Sequence, residues 1–242
     1  MRMLLFQIRN PDDAMLAQEK NCFATKLERL KKDNPFVLNT CNIIGNDNGY
    51  PETWTKYDVI LVGGSGDYGC VNNSDPWFLK FCQVLRDIVD SDKPMFCSCF
   101  GHQALAQALG GNVIKDRSRA ELGTLEVTLN EEGKKDPLLG TLDSTFLAQF
   151  GHNDQVEVLP QGAVNLASTP KCPIQAYKLE GKKVYSTQFH PELSVTENRE
   201  RAERYFQAYD PGLAHPDNLK KLFKPSEPAS ELLPRFIEKF VL

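Results

Sequence analysis

The stretch Pro94-Met-Phe-Cys-Ser-Cys-Phe-Gly-His-Gln-Ala-Leu-Ala-Gln-Ala-Leu-Gly-Gly111 decides the fold. Its first six residues make an apolar run of buried-strand length, while residues 101–109 favour a helix that Gly110-Gly111 stops. A strand that becomes a helix within two residues needs a sharp corner, and Cys99 and Phe100 stand at it. Two readings of the corner are open. In one, small residues fill a buried turn. In the other, Cys99 is a nucleophile at the tip, with the small neighbours such a turn requires two places away, Cys97 and Gly101. In the second reading the helix behind the sulfur aims unpaired N–H groups and a positive dipole end at a thiolate. The Phe100 amide then points to where an oxyanion would form.

Outward from this corner, strand and helix patterns alternate. Residues 4–8 read as a strand and 12–34 as a helix, with Met15, Phe23, Leu27 and Leu30 on one face and Pro35 closing it. Residues 36–44 return to β-type composition, 45–55 are a loop, and 57–62 are a buried strand running into Gly63-Gly-Ser-Gly-Asp-Tyr-Gly69. Residues 76–90 read as a helix with Pro76 in its first turn and Phe78, Phe81, Leu85 and Ile88 inward. Such alternation implies a parallel sheet covered on both faces. After residue 120 five candidate strands follow with short connections, at 122–129, 145–150, 163–167, 174–179 and 183–189. They suggest antiparallel pairing beside the parallel sheet. Residues 196–209 are helical in pattern.

The chain of 242 residues is ample for one large α/β domain. A formal net charge of −4, with no basic cluster beyond the mixed Lys26–Lys32 segment, argues against nucleic acid as a partner. No run approaches the roughly 18 apolar residues of a membrane span. The short apolar start lacks the form of a signal peptide. Seven cysteines, an odd number scattered along a long chain, suit reduced thiols and a cytoplasmic location. The glycine-rich loop at 63–69 lacks the order of a dinucleotide fingerprint and the Lys-Ser/Thr of a phosphate loop. It and Cys99 both follow strands, so they are expected at the same crevice.

A thiol nucleophile needs a base, and the base an orienting group. The four histidines are His102, His152, His190 and His215. His190 follows a strand pattern, and Glu192 stands two residues on, where an extended chain would face it the same way. His102 sits one helical turn past Cys99 with its ring aimed away, and His215 lies in a Pro-rich tail.

Four motifs in order carry a resemblance: Gly63-Gly-Ser-Gly-Asp67, Cys99-Phe-Gly-His-Gln103, Gly151-His-Asn-Asp-Gln-Val156 and His190-Pro-Glu192. Over roughly residues 1–208 the chain resembles the class I glutamine amidotransferases, in particular the domain attached to GMP synthase. The resemblance implies a flavodoxin-like three-layer α/β/α fold, with a central mostly parallel sheet and a small antiparallel one. Residues 209–242 are then an extension with a terminal helix. It implies Cys99 as nucleophile, His190 as acid and base, Glu192 as its orienter, and oxyanion donors at the Phe100 and Gly64 N–H groups. Gln103 and the backbone of Gly66, Asn153 and Asp154 would contact the substrate, with no cofactor and no metal.

Cys97 departs from the family, which commonly has glycine there. Its alternatives are a redox bond with Cys99 or, with Cys99 and His102, zinc ligation. The apolar stripe Leu232, Leu233, Phe236, Ile237 and Phe240 either packs on the body or docks a second copy or a synthase subunit. Three functions follow: a glutaminase handing ammonia to a separate partner, a γ-glutamyl peptidase acting on glutathione or its conjugates, or a non-catalytic binding protein on the same fold.

Overall fold

Alternation along the strands sets the layers. In β1 (Arg2–Ile8), Leu4, Phe6 and Ile8 join one apolar cluster, while Met3 and Leu5 join another. β3 (Val59–Ser65) and β4 (Met95–Ser98) divide the same way: Ile60, Val62, Met95 and Cys97 face the first cluster, Val59, Leu61 and Phe96 the second. Strands apolar on both faces must be covered on both. Helices α2 (Pro76–Asp90) and α3 (Phe100–Ala108) cover the first face. Helix α1 (Met15–Leu27) covers the second, with Phe23 and Leu27 inward. The helical pattern beyond Leu27 continues as a tighter 3-10 turn, Glu28–Lys32. The computed structural model describes residues 1–45, 54–205 and 221–242. Most of the expected loop at 45–55, the end of the helical pattern at 206–209, and His215 with its Pro-rich surroundings lie outside the described residues.

The remaining strands are β2 (Val37–Asn42), β5 (Asn112–Lys115), β6 (Glu121–Leu129), β7 (Thr145–His152), β8 (Asp154–Val158), β9 (Ala163–Ser168), β10 (Ala176–Leu179) and β11 (Val184–Thr187). Among the described residues, nine strands form one sheet in the order β2-β1-β3-β4-β11-β10-β9-β6-β7. The pairs from β2 to β11 are parallel, and those from β11 to β7 antiparallel. β5 and β8 form the small antiparallel sheet. The sequence reading groups residues 183–189 with the antiparallel strands. β11 instead lies parallel beside β4, with Ser186 opposite Cys97, and is antiparallel only to β10. Strand composition records burial, not the direction of the neighbour, so the order could not show this.

After a short helix, α4 (Glu131–Lys135), the chain returns through the antiparallel strands to α5 (Val195–Arg204). A capping box starts α5: Ser194 and Glu197 satisfy each other's backbone N–H groups. The chain ends in α6 (Glu227–Ser230) and α7 (Leu232–Phe240). The stripe of α7 lies on the second face. The Phe236 ring is 5.4 Å from Phe96 and 6.0 Å from Tyr185, and Leu232, Leu233 and Ile237 are buried beside it. No helix among the described residues is long and apolar enough to cross a membrane.

Candidate active site

β3, β4 and β11 are adjacent and parallel, so their carboxyl ends open on one crevice. Those ends deliver Gly63 and Gly64 in the last residues of β3, Cys99 just past β4 and, just past Thr187, His190. Cys99 adopts φ +52° and ψ −104°, a conformation an L side chain rarely takes. Its N–H donates to the Thr187 carbonyl at 2.8 Å, and its carbonyl accepts from the Gln103 N–H at 3.1 Å. Gly101 lets α3 meet the sheet this closely: a Cβ there would lie 2.7 Å from Val62 Cγ1. Because Cys99 stands at the N-terminal end of α3, the first N–H groups of that helix, Phe100's foremost, have no partner within it.

His190 is buried, and its Nδ1 lies 2.6 Å from Glu192 Oε1. Burial alone would lower the imidazole pKa. The Glu192 carboxylate foremost, with Cys99, overcomes that and raises it to about 9. Burial would likewise raise Glu192, but His190 and Arg201 hold it down, to about 2. A Cβ on Gly64 would fall 2.9 Å from His190 Cε1 and 3.7 Å from Cys99 Cβ, so both side chains border one narrow gap. The three residues expected to cooperate are thus brought together.

The Gly64 N–H is a correction. Expected to face the oxyanion, it donates instead to the buried Glu19 carboxylate, at 3.1 Å from Oε1. The Phe100 N–H, the other donor expected there, stands at the start of α3 with no partner inside the helix.

A cavity of about 270 Å³ opens at the sulfur, lined by Cys99 and Phe100 and by the four expected substrate residues Gly66, Gln103, Asn153 and Asp154. Both N–H groups of the Gln103 amide are used: Nε2 donates to the Asp154 carbonyl at 2.8 Å and to Gln188 Oε1 at 3.0 Å. The Asp154 carboxylate presses on Gly69, where a Cβ would lie 2.8 Å from Oδ2, and burial raises its pKa. His152 shapes this wall, bound at 2.9 Å to Glu121 and at 3.0 Å to the Asp154 carbonyl. The glycine-rich loop is not an open phosphate cradle. Ser65 Oγ bonds the Tyr68 carbonyl, and Gly66 lies flat against the Tyr205 ring.

His102 turns away as expected. It is buried against Tyr177 and Ser186, and burial lowers its pKa to about 3. All seven cysteines are free. Burial pushes the thiols of Cys22, Cys70, Cys82, Cys97 and Cys172 up, and Cys97 belongs to the core beneath the turn. Among the described residues no group of three or more His, Cys, Asp or Glu side chains could hold a metal ion, so Cys97, Cys99 and His102 do not form the alternative zinc site. Lys115 and Tyr205 in the cavity wall, and Glu19 and Arg201 behind Gly64 and Glu192, escape the sequence reading. Lys115 ends a short polar strand, and the other three are joined only by folding. No local signal marks them.

The family model for glutamine amidotransferase class-I matches residues 27–207. The chain is 33% identical over 146 residues to a subunit of the glutamine-hydrolyzing GMP synthase of Sulfurisphaera tokodaii, covering 60% of this chain and 73% of that protein. It is 35% identical over 156 residues to the glutamine-hydrolyzing GMP synthase of Clostridium novyi, covering 64% of this chain but only 28% of that longer one. Among solved structures, a glutamine amidotransferase from Thermotoga maritima shares the fold with a TM-score of 0.70 at 20% identity, over 98% of each chain. From the match over residues 27–207 and the similarity to the Sulfurisphaera tokodaii protein, the chain belongs to the class-I glutamine amidotransferase family.

Proposed function

We propose that this protein hydrolyses the γ-amide of glutamine through a γ-glutamyl thioester on Cys99 and releases the ammonia to a separate acceptor or synthase subunit. The sulfur attacks the amide carbon, and the oxyanion that forms takes the Phe100 N–H at the start of α3. The carbon–nitrogen bond breaks as the His190 imidazolium gives its proton to the departing ammonia. Neutral His190 then takes a proton from water, the hydroxide attacks the thioester carbonyl, and the sulfur leaves with glutamate released. Glu192 fixes the His190 tautomer and stabilises its charged form. The Gln103 carbonyl oxygen, with the amide N–H groups already used, accepts from the substrate's α-ammonium, as does the Asp154 carboxylate. The site needs no cofactor for any step.

The observation that carries this reading is the 2.6 Å His190–Glu192 pair held beside a cysteine on a strained turn at a helix N-terminus. Similarity to a protein named as one subunit of a GMP synthase supports an ammonia-accepting partner. One observation favours a second reading, cleavage of a γ-glutamyl bond to a larger amine. A second cavity of about 500 Å³ adjoins the first and shares Gly69, Lys115 and Asp154 with it. Glutamate release from glutamine, glutathione and a γ-glutamyl conjugate tests both. Glutamine turnover that Cys99→Ala abolishes is expected. Turnover of glutathione alone selects the second reading, and activity surviving Cys99→Ala overturns both.

A further inference from the structure

Behind the triad lies a buried charged cluster that the proposed reaction does not use. Glu19 sits in the middle of α1, wholly buried among Cys22, Phe23 and Leu27. It accepts from Gly64 N–H at 3.1 Å, from Arg9 at 3.0 Å and 3.4 Å, and from Gln7 Nε2 at 3.1 Å. A Cβ on Gly63 would lie 2.6 Å from Glu19 Oε1, so the carboxylate is pressed onto the end of β3, where the next residue, Gly64, meets His190. Arg201 on α5 completes a ring. Its Nη1 donates to Glu192 Oε1 at 3.3 Å, its Nη2 is 3.8 Å from Glu19, and Gln18 holds its Nε at 2.9 Å. From the imidazole the contacts run through Glu192, Arg201 and Glu19 to the Gly64 peptide, and back to the imidazole edge.

We propose that Glu19 is a positioning residue for the catalytic centre, fixing the Gly63-Gly64 end of β3 that backs His190 and supplying the negative charge that, through Arg201 and Glu192, keeps the imidazole protonated. The inference rests on the thiol–imidazole reading of the site. The arrangement of charge supports the second role. Around Glu19 stand Arg9 and Arg201 with Asp13 and Glu192, and the half-exposed Arg204 lies 3.9 Å from Asp13 at the rim, while Arg201 and His190 both bond Glu192 Oε1. Without the charge on Glu19, Arg201 is left to Glu192 alone and competes with the imidazolium for the oxygen they share, so the drive to keep His190 protonated weakens. Other titratable groups facing the cluster are Cys22 on α1, Cys99, Glu197 at the start of α5, Arg204 at the end of α5 beside Asp13, and Tyr205, whose hydroxyl bonds Asp13 and accepts from Arg9 at 2.7 Å. Glu19 does not line the cavity, so its loss reaches the chemistry without touching substrate.

Two variants separate the roles. Glu19→Gln keeps the shape and loses the charge, whereas Glu19→Asp keeps the charge and draws it back from Gly64. Each is checked for fold by thermal melting and then read in two ways. Alkylation of Cys99 by iodoacetamide, mapped by mass spectrometry, needs no substrate. Glutamine turnover gives kcat and KM. Glu19→Gln is expected to slow alkylation at pH 7 several-fold and to cut kcat roughly ten-fold with KM little changed. Glu19→Asp is expected to alkylate at the wild-type rate while its kcat falls. Folded variants with wild-type kcat and alkylation overturn the proposal, as does a rise in KM alone. Wild-type protein inert toward glutamine, with slowed alkylation in Glu19→Gln, overturns the substrate reading and leaves this one standing.

Discussion

Replacing Glu192 with glutamine tests the catalytic reading most directly, because the structure sets its size. The imidazole of His190 owes its charge to Glu192 and Cys99 working against burial. With a pKa of about 9 it is about nine-tenths protonated at pH 8. Glu192→Gln removes the nearest anion and leaves only Cys99 against burial, so the pKa falls toward the ordinary ~6.5, at which about 3% of the ring is charged at pH 8. The fraction able to protonate the leaving group therefore falls by up to about thirty-fold at that pH. The variant should fold, because Arg201 keeps Gln18 and Glu19 as partners.

The assay is kcat/KM for glutamate release across pH 5 to 10, roughly the range that brackets both values. Wild type should lose activity as pH rises through about 9, the imidazolium being spent, and the variant's alkaline limb should lie well below that. The same raised pKa feeds folding stability. That contribution is full below the unfolded value of ~6.5 and is lost as pH rises through the folded one. Wild type should therefore lose stability between those pH values relative to the variant. A Glu192→Gln enzyme with wild-type activity at pH 8 and an unmoved alkaline limb would refute the reasoning.

Two further outcomes follow from local geometry. Cys99→Gly relieves a strained backbone worth about 1–3 kcal/mol and adds a glycine's unfolded-state entropy of up to about 1 kcal/mol, so urea denaturation should show a net gain near 1 kcal/mol with activity abolished. Phe236→Ala empties a buried site between Phe96 and Tyr185 and should cost about 3–5 kcal/mol in the same measurement.

What is legible along the chain is what short-range chemistry encodes. Two-residue alternation marks both faces of β1, β3 and β4, and the Pro76 start and inward phenylalanines mark α2. The corner at Cys99 to Gly101 and the His190–Glu192 spacing mark the groups that the fold brings together at the cavity. What stays concealed is pairing across long separations. β5 and β8 are short and polar at their edges, so neither shows an apolar period, and Lys115 at the end of β5 is hidden with them. Glu19 reads as one more polar residue of an amphipathic helix. Only Arg9 ten residues before it, Gly64 forty-five residues after it and Arg201 far beyond make its burial tolerable. Gly64 misleads for the same reason: a glycine's place in a motif says its backbone is approached closely, but not by which group.

The precision of this site is a property of strand register more than of the loops that carry it. Val62 opposes Cys97 across β3 and β4, and Ser186 opposes Cys97 while Thr187 opposes Ser98 across β4 and β11. One ladder therefore fixes the height at which Gly63, Cys99 and His190 emerge. A slip of one residue in β11 would move His190 by about 3.3 Å and turn alternate side chains to the opposite face, which no rotamer of His190 could repair. The ladder also bears the strain of the elbow, since the Cys99 N–H is held by the Thr187 carbonyl of β11 itself. The strand that leads to His190 thus holds Cys99 in its unfavourable conformation. A substitution that loosens β11, even one remote from the cavity, should relax Cys99 and misplace His190 together, so that acylation and deacylation fail as one.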